Sequence, residues 1–223
     1  MKTLYIASHN KHKVEEIRQI FSEDALLASR FQIKSLDDLN FHGQIPETAA
    51  TLEGNALQKA TFIHEKFGVD CFSDDTGLEV AALHNRPGIY SARYANMPAD
   101  FEATGHVDEI SLSRPDPTFH ENVDRLLHYL SRAGCEEESA RKARFRSVIC
   151  LMLGGEIHYF SGEVAGVILP ERQGTEGFGY DPVFRPDGYE KSFAELPLAE
   201  KDSISHRGRA VAKMMQFLRE TDA

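Results

Sequence analysis

Leu4-Tyr5-Ile6-Ala7-Ser8-His9-Asn10-Lys11-His12-Lys13-Val14 decides the fold class. Leu4 to Ala7 reads as a short buried strand, which polar Ser8-His9-Asn10 ends. Lys11 to Phe21 follows as a helix with Val14, Ile17, Ile20 and Phe21 on one face. A strand running at once into an amphipathic helix is the opening of an α/β fold. Further along, Phe31 to Leu36 alternates like a strand, and Thr51 to Phe67 reads as a helix capped by Thr51. Val69 to Ser73 reads as a strand ending at Asp74-Asp75-Thr76-Gly77, Leu78 to Leu83 stays apolar, and Arg86-Pro87-Gly88 is a turn signal. Residues 96–118 are polar with three prolines and read as a long acidic loop insertion. His120 to Arg132 follows as a helix, then strands Phe145 to Leu153 and Glu156 to Leu169 around a Gly154-Gly155 hairpin. Gly174 to Pro182 is a glycine-rich loop, and Ser205 to Arg219 is a closing helix with Ala212, Met215 and Leu218 toward the core. Strands and helices mix from end to end, so the expectation is one α/β domain over residues 1–223 with a mixed sheet.

Composition excludes several classes. The chain has 223 residues, 41% hydrophobic and 27% charged, an ordinary globular balance rather than a disordered one. Lys+Arg number 25 against 35 Asp+Glu, a net charge of −10, which disfavours a general nucleic-acid binder. Residues 100–140 hold 10 acidic residues and 3 arginines, so −7 of the −10 lies there and the rest is nearly neutral. A polyanion site elsewhere therefore stays possible. No apolar run approaches the ~20 residues of a membrane span. Cys71, Cys135 and Cys150 are odd in number and without a CxxC, which points to a reducing cytoplasm rather than a disulfide framework.

Five groups of residues can carry chemistry. In Ser8-His9-Asn10-Lys11-His12-Lys13 the exposed amides of a helix start and the Lys13 charge make an anion site, or else a helix cap with a solvated lysine. Neither GxxxxGK[ST] nor GxGxxG is present. The adjacent carboxylates of Asp74-Asp75-Thr76-Gly77 point to opposite sides of a strand, so one can face a ligand while the other anchors; the same run also reads as a turn. Glu47 precedes Glu53, Asn55 and Lys59, of which Asn55 and Lys59 share a helix face that either lines a cleft or meets solvent. Gly174-Thr175-Glu176-Gly177-Phe178-Gly179-Tyr180-Asp181-Pro182 brings backbone close to a ligand, with Phe178 as a stacking face and Asp181 as an acceptor. Lys201 and Ser205-His206-Arg207-Gly208-Arg209 put cations at a helix start, where they need an anion, a ligand or solvent.

Each group is ambiguous alone, but Ser8-x-Asn10-x-x-Lys13, Glu47 before Glu53-x-Asn55-x-x-x-Lys59, Ser73-Asp74-Asp75-Thr76-Gly77-Leu78, the PGIYSARY run 87–94, the GFGYDP run 177–182 and Ser205-His206-Arg207-Gly208 occur in one order. This closely resembles the Ham1/RdgB family of inosine/xanthosine triphosphate pyrophosphatases, over nearly the whole chain apart from about residues 96–118. The resemblance implies an elongated two-lobed α/β fold with a long central mixed sheet and a cleft between lobes. It implies Mg²⁺-dependent hydrolysis of ITP, dITP and XTP to the monophosphate and pyrophosphate, a homodimer, and a role in cleansing the nucleotide pool. Carried over residue by residue, Ser8, His9, Asn10, Lys11, His12, Lys13 and Lys59 match the triphosphate-binding segment, and Thr76 a substrate contact. Asp75 matches the general base and metal-associated carboxylate, and Glu47 the second metal-holding acid. Phe178, Gly179, Tyr180, Asp181, Lys201, His206 and Arg207 match nucleoside-recognition residues. His9 departs from the small glycine often found at that place. Two other readings compete: a Maf-like pyrophosphatase of modified pyrimidine nucleotides, against which GFGYDP and SHRG count, and a silent nucleotide-binding module.

Overall fold

The computed structural model describes residues 1–221. In chain order, β1 (Lys2–Ile6) leads to α1 (Lys11–Ser22), α2 (Ala25–Arg30) and β2 (Phe31–Lys34). Next come α3 (Leu52–Phe67), β3 (Cys71–Val80) and β4 (Arg86–Gly88). Then α4 (Phe101–Thr104) and α5 (Glu109–Ser113) precede α6 (Phe119–Arg132). β5 (Lys142–Leu153), β6 (Glu156–Ile168), β7 (Phe184–Pro186), α7 (Leu198–Ile204) and α8 (His206–Glu220) complete the chain. The strands form one sheet in the order β2-β1-β3-β5-β6-β7, with β4 paired to β3 off that path. β1 runs parallel to β2 and β3, whereas β3–β4 and β6–β7 are antiparallel, so the sheet is mixed as the sequence predicts.

The chain divides into two compact units. The first comprises residues 1–75, 147–163 and 202 onward. Its core joins Leu4, Ile6, Phe72, Ile149 and Leu151 from the strands to Val14, Ile17 and Phe21 of α1 and Val211, Met214, Met215 and Leu218 of α8. The hairpin turn between β5 and β6 uses Gly154 and Gly155 at φ of 59° and 86°, a backbone that side chains rarely adopt. The second unit comprises residues 76–146 and 164–201. There Phe145 packs on Phe184 and Phe193 at centroid distances of 4.7 and 6.3 Å. Arg125 pairs with Glu102 at 3.0 Å and donates to the Pro98 carbonyl at 2.7 Å, which ties down the chain entering α4.

Several local expectations are corrected. Asp74-Asp75-Thr76-Gly77 neither ends the strand nor makes a turn: β3 runs straight through it. Aspartate is normally depleted in strands, but here both carboxylates find cations, which offsets the cost of burying them. Arg86-Pro87-Gly88 is strand β4 rather than a turn; a Cβ on Gly77 would lie 2.7 Å from the Gly88 carbonyl, so the two strands approach closely because Gly77 has none. Residues 96–118 hold α4 and α5 instead of an unbroken loop. α2, whose cap Asp24 accepts the Leu27 N–H at 2.9 Å, is an addition to the predicted elements: six residues are too few for a helical period to show in the sequence. In α8 the buried stripe is Ala210, Val211, Met214, Met215 and Leu218, while Ala212 is exposed.

Candidate active site

In the first unit, β1 ends at Ile6 and α1 begins at Lys11. Ser8 Oγ accepts the Asn10 N–H at 3.2 Å, and Asn10 Oδ1 caps α1 by accepting the Lys13 N–H at 3.2 Å. Both polar side chains therefore shape the loop at the helix start, where the sequence reading places phosphate. Lys11 and His12 are exposed on the first turn. His9 turns sideways: its ring stacks on Phe41 at 5.8 Å and its Nε2 meets the Gly43 carbonyl at 2.8 Å.

Residues 74 and 75 alternate across β3, and each side meets its own set of cations. Asp74, fully buried, pairs through Oδ1 with Lys13 Nζ at 3.0 Å and through Oδ2 with Arg207 Nε at 3.2 Å. Arg207 also pairs with buried Glu16 of α1. Burial alone would push the Asp74 carboxyl up; Lys13, Arg207 and Lys59 outweigh it and hold Asp74 well below the usual carboxylate range. Burial, helped by the neighbouring cations Lys59 and Arg207, lowers the Lys13 ammonium against the pull of Asp74.

Asp75 faces α3. Its Oδ1 meets Lys59 Nζ at 2.7 Å, and its Oδ2 accepts a long bond from Asn55 Nδ2 at 3.4 Å. Asn55 and Lys59 are one helical turn apart, so the shared face read from their spacing is the face that meets Asp75. Lys59 Nζ also meets Glu47 Oε1 at 2.7 Å, on the segment leading to α3. Burial works to lower the Lys59 ammonium, but Asp75, Glu47 and Asp74 outweigh it and raise it. For Asp75 the balance tips the other way: burial exceeds the pull of Lys59 and Lys13, so its carboxyl holds a proton more tightly than an ordinary aspartate.

Among the described residues no group of three or more His, Cys, Asp or Glu side chains forms a ready metal cage. Glu47 and Asp75 nevertheless converge on one point, now filled by the Lys59 ammonium. Two carboxylates are the hard oxygen donors Mg²⁺ takes, and Mg²⁺ usually completes its shell with water and substrate phosphate rather than more protein ligands. The donor set thus fits that ion.

In the second unit, the glycine-rich loop is tied by Asp181, whose Oδ2 accepts the Phe178 N–H and the Lys201 ammonium, both at 2.8 Å. A Cβ on Gly177 would lie 2.3 Å from that oxygen, and Gly177 sits at φ of 76°. The Lys201 ammonium lies 5.1 Å from the Phe178 ring centroid, and Phe119 of α6 packs on the same ring at 5.9 Å. The Tyr180 ring is buried, and its hydroxyl donates to the Ser91 carbonyl at 2.8 Å. That bond joins the 87–94 and 177–182 runs, and the burial of the Tyr180 ring makes it part of the core. Thr76, also of this unit, is half-buried on β3.

The sequence grouped His206 and Arg207 with Lys201. Lys201 lies with Phe178 and Asp181 in the second unit; buried His206 and Arg207 belong to the first, with Arg207 in the Lys13–Asp74 network. Glu16 was missed. Its signal was an acid one turn after Lys13 on a helix whose other inward residues are apolar.

A buried strand carboxylate with raised proton affinity, paired with Lys59 of α3 and next in sequence to the partner of Lys13 at the start of α1, defines a centre suited to phosphoryl transfer to water. The chain belongs to the Ham1 family, whose model matches residues 4–217. It is 44% identical over 218 residues to the dITP/XTP pyrophosphatase of Porphyromonas gingivalis, covering 98% of each chain. It is 41% identical over 216 residues to the dITP/XTP pyrophosphatase of Flavobacterium psychrophilum, covering 97% of this chain and 98% of that one. Among solved structures, a HAM1 protein from Coxiella burnetii matches with a TM-score of 0.80 and 29% identity, covering 99% of this chain and all of that one. The nucleoside-triphosphatase (dITP/XTP pyrophosphatase) of Mycobacterium abscessus matches with a TM-score of 0.67 and 34% identity, covering 96% and 98%.

Proposed function

We propose that this protein hydrolyses non-canonical purine nucleoside triphosphates (ITP, dITP and XTP) to the monophosphate and pyrophosphate, clearing them from the nucleotide pool. The observation that carries the reading is Asp75: a buried carboxylate of raised proton affinity, held between Asn55 and Lys59 on a strand. Asp75 Oδ2 takes a proton from an attacking water while Lys59 fixes Oδ1. The water oxygen bonds to the α-phosphorus, the α–β bridging bond breaks, and pyrophosphate leaves with the electron pair.

The charge balance supports Mg²⁺ as the cofactor. Lys13, Lys59 and Arg207 are matched in the first unit by Glu16, Glu47, Asp74 and Asp75, three cations against four acids. A polyphosphate adds further negative charge to a site already slightly negative. Glu47 and Asp75 would hold the metal, which when bound would supply the missing positive charge. The Lys59 ammonium has three N–H donors, two of them on Glu47 and Asp75, and in this reading the third meets a phosphate oxygen while Asp75 stays paired.

Phe178, backed by Phe119, offers a ring face to the base, and Lys201 supplies a donor. Hypoxanthine and xanthine carry an acceptor oxygen at position 6, whereas adenine carries an amine that leaves such a donor mismatched. A homodimer and a cytoplasmic setting belong to the same reading; the three cysteines, all free and buried, suit a reducing compartment. No described helix is long and apolar enough to cross a membrane.

The test is product analysis with ITP, XTP, ATP and GTP, with and without Mg²⁺. Pyrophosphate from ITP and XTP, with ATP turned over far more slowly and no turnover without metal, supports the reading. Equal rates on all four, or orthophosphate as the product, overturns it.

A further inference from the structure

We propose that His9 is a positioning residue, pinning the loop that delivers Glu47 to the site. The inference rests on the reading of Glu47 as a metal-holding acid. Past Phe41, whose N–H donates to the Leu36 carbonyl at 3.1 Å, the chain runs without helix or strand to Thr51. Side chains from neighbouring elements hold this segment. On its far side, α3 provides the anchors: Gln58 accepts the Thr48 N–H at 2.8 Å, Asn55 accepts the Ala49 N–H at 2.9 Å, and Lys59 meets Glu47.

On its near side the anchor is His9, which sits in the loop between β1 and α1. Its ring lies on Phe41 at an interplanar angle of 27°, and Nε2 reaches the Gly43 carbonyl, 34 residues away in sequence. Phe41 is fixed from behind by Phe62 and Phe67 of α3 at 5.9 and 5.6 Å, with the Lys66 ammonium 5.5 Å from its ring. Gly43 fits this arrangement because a Cβ there would lie 2.8 Å from the Phe41 ring. His9 therefore couples two pieces of the site, the helix-start loop of Ser8, Asn10 and Lys13 and the segment ending in Glu47. A residue without a ring or a polar atom at position 9 leaves the Gly43 end of the segment unheld, so that Glu47 is restrained from the α3 side alone. The entropy of holding it there is then met when the metal binds.

The experiment compares wild type with His9→Gly, His9→Phe (ring kept) and His9→Gln (polar atoms kept). Amide hydrogen exchange without metal or substrate reports the pin directly, and calorimetric titration with Mg²⁺ alone, together with the Mg²⁺ dependence of ITP hydrolysis, reports its consequence. In His9→Gly, exchange across residues 43–49 rises, and the Mg²⁺ needed for half-saturation rises about three- to ten-fold, the scale of one net hydrogen bond, a larger factor than the fall in kcat. His9→Phe and His9→Gln lie between the two. Exchange over 43–49 identical in wild type and His9→Gly overturns the proposal. Wild type that neither binds nor needs Mg²⁺ overturns instead the assignment of Glu47 as a metal-holding acid, while the exchange comparison still decides whether His9 pins the loop.

Discussion

At the scale of residues, Asp74 and Asp75 are the same side chain put to opposite uses by their neighbours. Asp75→Asn keeps the acceptor for Lys59 and the size of the side chain but removes the carboxylate proposed as base; kcat on ITP is expected to fall about 10²- to 10⁴-fold with the fold intact by circular dichroism. Because burial raises Asp75, the acid limb of kcat is expected at a pH above the ordinary aspartate value of 3.8, activity falling as the pH drops through it. Asp74→Asn acts on stability instead, since it leaves Lys13 beside a neutral amide and takes from buried Arg207 one of its two carboxylate partners, Glu16 remaining; a loss of about 3 kcal/mol is expected in urea unfolding near neutral pH. Asp74 is held below its unfolded value, so its contribution is full above about 3.8 and drains as the pH falls below that. The variant should therefore show a flatter stability profile in acid than wild type. Single motifs in the sequence left these roles open, because a carboxylate's function depends on which cations the fold brings from distant segments. Arg207 lies 133 residues from Asp74, and nothing local to either announces the pair.

At the scale of elements, the sequence read well wherever a local rule set the outcome. Thr51 caps α3 by accepting the Gly54 N–H at 3.0 Å, Ser205 caps α8 by accepting the Gly208 N–H at 2.9 Å, and Gly154-Gly155 turns β5 into β6, all as their residue types predict. It read poorly where tertiary partners overrode propensity, as in β3 through Asp74-Asp75 and in β4 through Pro87. One close approach invisible to periodicity is that of β6 to α8. A Cβ on Gly162 would lie 2.2 Å from the His206 carbonyl and 2.6 Å from the Ala210 nitrogen, both rigid helix backbone. Gly162→Ala is expected to push the start of α8 outward and cost about 1–3 kcal/mol in thermal or urea unfolding. Since Arg207 sits on that first turn, KM for ITP should rise in the same variant.

At the scale of the whole molecule, the charge is uneven and the thiols are sealed. Burial pushes the Cys71 thiol up to about 12 and the Cys150 thiol up to about 11, and both lie inside the first unit. Native protein is expected to react slowly with a thiol reagent at about pH 8 and at full rate only once unfolded; rapid reaction of all three cysteines in the folded state would contradict the buried placement. The reading of an α/β protein with a mixed sheet, made from strands and helices mixing along the chain, is matched by the sheet order, whereas the division into two units within β3, β5, β6 and α7 left no mark on the sequence as a linker or a shift in composition. That division falls just after Asp75, one peptide link beyond Asp74. One planar peptide joins the Cα atoms of the anchored Asp74 and the proposed base Asp75, so a tilt of the backbone at one is passed to the backbone of the other. Gentle chaotrope should then extinguish turnover in step with loosening of this short stretch, rather than in an earlier phase of its own.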